Sequence, residues 1–84
     1  MQETLIGLDI GGTKFAVIEG TTRGEVLARH QQPTLPERGF ANTFARLCIA
    51  VEDALAAARA AGRRVAALSV SIGGPLDIER GIIY

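Results

Sequence analysis

The sequence predicts an α/β domain whose elements run β-β-β-α-β, with a mixed sheet and one crossover helix. Three observations carry this reading. Two short apolar runs flank a glycine pair near the start of the chain. A helical period of three and four residues then takes over between Phe40 and Ala58, and a strand period returns at 65–72. A helix between strands is the connection that a parallel pair requires, so one parallel pairing is expected beside an antiparallel hairpin.

Leu5, Ile6, Gly7, Leu8, Asp9 and Ile10 form an almost unbroken apolar run, the pattern of a strand covered on both faces. Gly11, Gly12 and Thr13 interrupt it, and a second run follows at 14–19 with Phe15, Ala16, Val17 and Ile18. Thr21, Thr22, Arg23 and Gly24 make a polar turn into a third strand at 26–31. That strand is more polar and is ended by Pro33 and Pro36, which places it at a sheet edge. Phe40, Phe44, Leu47, Cys48, Val51, Leu55 and Ala58 then recur as one stripe of an amphipathic helix, with Arg46, Glu52, Asp53 and Arg59 on its other faces. The alanine-rich end favours helix, and Gly62 is a good stop signal. Arg63 and Arg64 suit the negative end of the helix dipole. In the strand at 65–72, simple alternation puts Ala66, Leu68, Val70 and Ile72 on one face and Val65, Ala67, Ser69 and Ser71 on the other. Gly73, Gly74 and Pro75 close it, and residues 81–84 read as the start of another strand.

Composition narrows the function classes. Eighty-four residues allow a single modest core, not a two-domain enzyme closing on a substrate. Nine basic residues balance nine acidic ones, which argues against a nucleic-acid or membrane-surface partner. A hydrophobic fraction of 48% with 21% charged residues excludes a disordered chain. The lone Cys48 can form neither an internal disulfide nor a cysteine-based zinc cluster, and no signal-peptide pattern opens the chain. A cytoplasmic protein is the expectation. Cys48 falls on the apolar helical stripe, where a buried, inert thiol is expected. His30, on the edge strand with no flanking nucleophile or acid pattern, reads as a surface or packing residue.

The chemistry gathers in two places. Asp9 is the only acid within the first apolar strand and lies at its carboxyl end, where a carboxylate calls for a balancing cation, donor set or metal. Gly11 and Gly12 let a ligand approach the backbone N–H groups, Thr13 adds a hydroxyl, and Lys14 is the only lysine of the chain. A glycine pair is also an ordinary hairpin turn. The sequence is not a Walker A loop, because Gly12-Thr13-Lys14 reverses the Lys-Ser/Thr order and a strand follows where a helix should; there is no G-x-G-x-x-G either. The second place is Ser69-Val70-Ser71-Ile72-Gly73-Gly74-Pro75-Leu76-Asp77, again at a strand's carboxyl end and again readable as a turn alone. If the first and fourth strands are parallel neighbours, both loops open at one sheet edge, where ligands of open α/β sheets bind.

Gly7-Leu8-Asp9-Ile10-Gly11-Gly12-Thr13-Lys14 followed by a hydrophobic strand resembles the first phosphate-binding motif of the ROK family of sugar kinases and repressors, within the actin, hexokinase and Hsp70 ATPase superfamily. The stretch from Ser71 to Asp77, then Arg80 to Tyr84, is similar to that family's next motif in the same order. The resemblance implies that residues 1–84 form an incomplete, N-terminal part of a ribonuclease H-like (actin-like ATPase) domain. It implies ATP and Mg²⁺ as cofactors: Asp9 near the metal through water, and Gly11, Gly12, Thr13 and Lys14 along the phosphates. Gly73 and Gly74 would face the sugar, the other substrate. Pro75 passes straight to Leu76 and Asp77, without the longer loop of many family members. The family's catalytic aspartate, in an Asn-Asp motif, has no counterpart here, since Asn42 is the only asparagine. The general base, the structural zinc cluster and most of the nucleotide pocket are therefore expected outside these residues, which alone should be inactive. The expected parent is a glucokinase-like kinase; the alternative is a sugar-sensing ROK regulator, whose usual helix-turn-helix domain has no place before Leu5. The exposed face of so small a sheet also leads to the expectation of a homo-oligomer.

Overall fold

The computed structural model describes residues 2–72 and the short segments Leu76–Asp77 and Ile82–Ile83. Strands β1 (Gln2–Ile10), β2 (Lys14–Thr21) and β3 (Val26–Pro33) come first, then a 3₁₀ turn (Pro36–Arg38), helix α1 (Phe40–Ala60) and strand β4 (Arg63–Ile72). The two short segments, β5 (Leu76–Asp77) and β6 (Ile82–Ile83), pair antiparallel with each other. The main sheet has the order β3-β2-β1-β4. β1 pairs antiparallel with β2 and parallel with β4, and β2 pairs antiparallel with β3, so the expected mixed sheet with one crossover helix is what forms. β3 is an edge strand, as is β4, and all residues of β3 but Gln32 are exposed, His30 among them.

The helix covers one face. Ile6, Leu8, Phe15 and Val17 from β1 and β2 meet Ala50 of α1, with Ile10, Leu47, Val51, Ala54 and Val65 packed around them. Removing side chains such as Ile6 and Phe15 from water contributes roughly 1.5–3 kcal/mol each. β1 is covered on this face only. Thr4, Ile6 and Leu8 are buried, whereas Leu5 and Asp9, on the opposite face, are exposed.

Two features depart from the expected pattern. The helix lies on its alanine side: Leu47, Ala50, Val51, Ala54 and Ala58 are the residues turned inward. Phe40 and Phe44, expected on the buried stripe, are 81% and 53% exposed and stack on each other at 5.7 Å. Cys48 is exposed as well, not buried. Small side chains let the helix approach the sheet, and the bulky flank of the stripe rolls outward. In β4, Thr4 pairs with Val65 but Leu5 pairs with Ala67, so Ala66 is an extra residue in the ladder. Val65 therefore shares the helix-side face with Leu68, Val70 and Ile72, instead of lying opposite them.

Helix α1 ends as its sequence dictates. The Gly62 N–H donates to the Arg59 carbonyl at 3.0 Å, and Gly62 takes a φ of +74°, a left-handed cap that glycine adopts without a Cβ penalty.

Candidate functional site

Parallel pairing of β1 with β4 brings their carboxyl ends to one sheet edge, where Ile10 lies beside Ile72 and Asp9 beside Ser71. The turn after β1 carries Gly11, Gly12, Thr13 and Lys14; the Gly73–Gly74 pair expected on the sugar side follows β4 but lies outside the described residues. One backbone bond closes the turn, from the Gly11 N–H to the Lys14 carbonyl at 2.9 Å.

The two glycines have different reasons to be there. A Cβ on Gly11 would stand 3.1 Å from the Lys14 carbonyl oxygen, so the turn itself excludes a side chain. Gly12 has no atom within 4 Å of where its Cβ would be, and neither glycine has a positive φ. A tight hairpin turn with left-handed residues, the ordinary reason for a glycine pair, is thus not what Gly12 provides. Its effect is a bare backbone open to approach. Among the described residues, the N–H groups of Gly12 and Thr13 meet no acceptor.

The charges beside this turn are uncommitted. Asp9, Thr13 and Lys14 are exposed, and neither Asp9 nor Lys14 takes part in an ion pair among the described residues. The expected burial of the Asp9 carboxylate is not found, because the face of β1 that carries it is open. Two N–H groups without an acceptor among the described residues, a hydroxyl and an ammonium group are groups whose chemistry suits anionic oxygens. A single carboxylate at its side suits Mg²⁺, which takes one or two protein carboxylates and completes its shell with phosphate oxygens and water. Among the described residues no cluster of three or more His, Cys, Asp or Glu side chains forms a metal cage of its own.

Sequence reasoning missed the residues that hold the turn. Thr34, just beyond β3, donates its N–H to the Thr13 carbonyl and its hydroxyl to the Gly11 carbonyl, each at 2.9 Å. From α1, Thr43 donates its hydroxyl to the Thr34 carbonyl at 2.9 Å, and the Arg46 guanidinium donates to the same oxygen. Pro33 and Pro36 marked only the end of a strand in the sequence; no periodicity announces a bond across 23 positions.

Two further features lie on the helix-side face of the sheet, one beside the site and one remote from it. Beside the turn, between α1 and β4, runs a cleft of about 890 Å³ lined by Leu8, Ile10, Phe40, Phe44, Val70 and Ile72. At the other end of the same face, the buried Glu19 carboxylate accepts from Thr4 Oγ1 at 2.8 Å and from two nitrogens of Arg63 at 2.8 and 2.9 Å. The Arg63 hydrogen bonds hold the Glu19 carboxyl below the usual glutamate range, with burial opposing and Thr4 assisting; Arg63 is raised in turn by Glu19. This cluster ties β4 and β1 to β2 and lies away from the turn.

No family model matches the sequence, and no curated protein matches it. Among solved structures, the crystal structure of a ROK family transcriptional regulator, described as a homolog of the E. coli MLC protein, is similar over 99% of this chain with a TM-score of 0.69 and 18% identity. The chain spans 21% of the length of that structure. No helix among the described residues is long and apolar enough to cross a membrane. The four-stranded mixed sheet with its crossover helix is thus an α/β fold shared with part of that regulator's structure.

Proposed function

We propose that the chain belongs to the ROK family and supplies the first phosphate-binding turn of an ATP-dependent sugar kinase. The carrying observation is the turn itself: Gly12 and Thr13 with unpartnered N–H groups among the described residues, beside exposed Asp9 and Lys14. In this reading Gly11, Gly12, Thr13 and Lys14 bind the ATP phosphates and Asp9 holds Mg²⁺ through water. Gly73 and Gly74 are assigned to the sugar by sequence resemblance. Phosphoryl transfer depends on positioning and charge stabilisation, which backbone donors, a lysine and a metal ion supply. The general base belongs to other parts of the intact protein, which acts in the cytoplasm as a homo-oligomer.

The test is Mg·ATP-dependent phosphorylation of a panel of aldohexoses by the intact protein. Turnover is expected, with Asp9→Asn and Gly12→Val each lowering it at least tenfold, the rough worth of a lost charged or backbone contact. No turnover with any sugar, together with tight sugar binding, would favour the second reading, a sugar-sensing regulator. That reading is supported by the regulator whose fold the chain shares. Specific DNA binding that sugar relieves would establish it.

A further inference from the structure

We propose that Thr34 is a positioning residue for the glycine turn: it sets the Gly11–Lys14 backbone so that the Gly12 and Thr13 N–H groups receive the phosphate oxygens of a nucleotide. The proposal rests on the phosphate-binding reading above. The turn has only one backbone bond of its own, from Gly11 to Lys14, and Thr34 adds two more from a single residue. Both of its bonds end on carbonyl oxygens, those of Gly11 and Thr13, on either side of Gly12. Carbonyl oxygens carry partial negative charge and oppose an anion. Engaging the Gly11 carbonyl from the Thr34 side turns the N–H of the same trans peptide, that of Gly12, to the opposite side, and the bond to the Thr13 carbonyl fixes the turn beyond it.

Thr34 can act in this way because it is itself held. It is 8% exposed, and its carbonyl accepts from Thr43 and Arg46 of α1. The Arg46 guanidinium also donates to the Pro33 carbonyl at 2.7 Å and to Gln32 Oε1 at 3.1 Å, and it lies 5.7 Å from the centre of the Phe15 ring, next in sequence to Lys14. Leu35, on the other side, has a φ of 56° in front of Pro36, a backbone state that a leucine keeps only where its surroundings hold it. The segment between β3 and α1 is thus a fixed strap, bolted to the helix and resting on the turn. Preorganised donors are what bind anionic oxygens without reorganisation.

Three variants of the intact protein test this. Thr34→Val keeps the size and the backbone N–H but loses the hydroxyl; Thr34→Ser keeps the hydroxyl; Arg46→Lys keeps the charge but loses the planar fork. Calorimetry with Mg·ADP and with adenosine is combined with amide NMR shifts of residues 11–14 in the ligand-free protein. T34V is expected to move the Gly12 and Thr13 amides and to weaken Mg·ADP binding about tenfold, with adenosine binding unchanged. T34S should restore both, and R46K should move them in the same direction as T34V. Unmoved amides, or an equal loss for Mg·ADP and adenosine, would overturn the proposal. If the unsubstituted protein binds no nucleotide while T34V still moves the amides, the phosphate reading falls and the hold of Thr34 on the turn stands. Should T34V fail to fold, R46K makes the same comparison.

Discussion

Glu19 sits at 3% exposure on the helix side of β2, and its charge is kept by the Arg63 fork and the Thr4 hydroxyl. Its carboxyl is lowered in the fold, so the unfolded chain binds its proton more readily. The stability it contributes is complete above the unfolded glutamate pKa, near 4.3, and is lost as pH falls through the lower, folded value. Acid titration of the melting midpoint should therefore show a drop that begins below about pH 4.3 and is missing in Glu19→Gln, itself several degrees less stable at neutral pH. A Glu19→Gln profile that falls in step with the unsubstituted one would remove Glu19 as the cause. At this scale the sequence was legible where chemistry is local. Asp9, Gly11, Gly12, Thr13 and Lys14 stand together in the chain and together in the fold. Thr34 and Arg46 were not legible, because their bonds to the turn and strap exist only after α1 has folded back on the sheet.

Among the elements, each of the main strands and the helix follows from its own stretch of sequence, since a period of two or of three to four residues survives folding. Which way an element rolls does not follow so directly. For α1, a stripe of large residues and a stripe of alanines overlap at Leu47, Val51 and Ala58, and close approach to the sheet favours the alanines. Cys48, Phe40 and Phe44 were placed inward by a pattern that weighs size alone. The end of the helix is the better-determined part. Gly62 holds a positive φ, so Gly62→Ala should cost about 1 kcal/mol, measured by urea unfolding with an unchanged denaturant slope. A neutral substitution would mean that the cap is not under strain.

At the scale of the whole molecule, the one α-helix among the described residues cannot cover both faces of the four-stranded sheet. Phe40, Phe44, Leu68, Val70 and Ile72 line or adjoin an open apolar cleft, and Leu5 and Leu27 lie exposed on the sheet. Contiguous apolar surface of this kind seeks cover. Light scattering of the 84-residue chain should thus show self-association that rises with concentration and weakens in a Phe44→Glu, Val70→Thr double variant. A monomer at every concentration would refute this.

The extra residue in β4 shows how the face carrying that cleft comes to be of two kinds. Arg63 and Leu68 are an odd number of positions apart, so a regular strand would send them to opposite sides. Ala66 works as a phase shift: below it the strand offers a cation to Glu19, above it an oily wall, and both look the same way. Deleting that one alanine would lengthen no loop and disturb no turn. It would nonetheless invert one half of the strand against the other, leaving a choice between the ion pair and the wall.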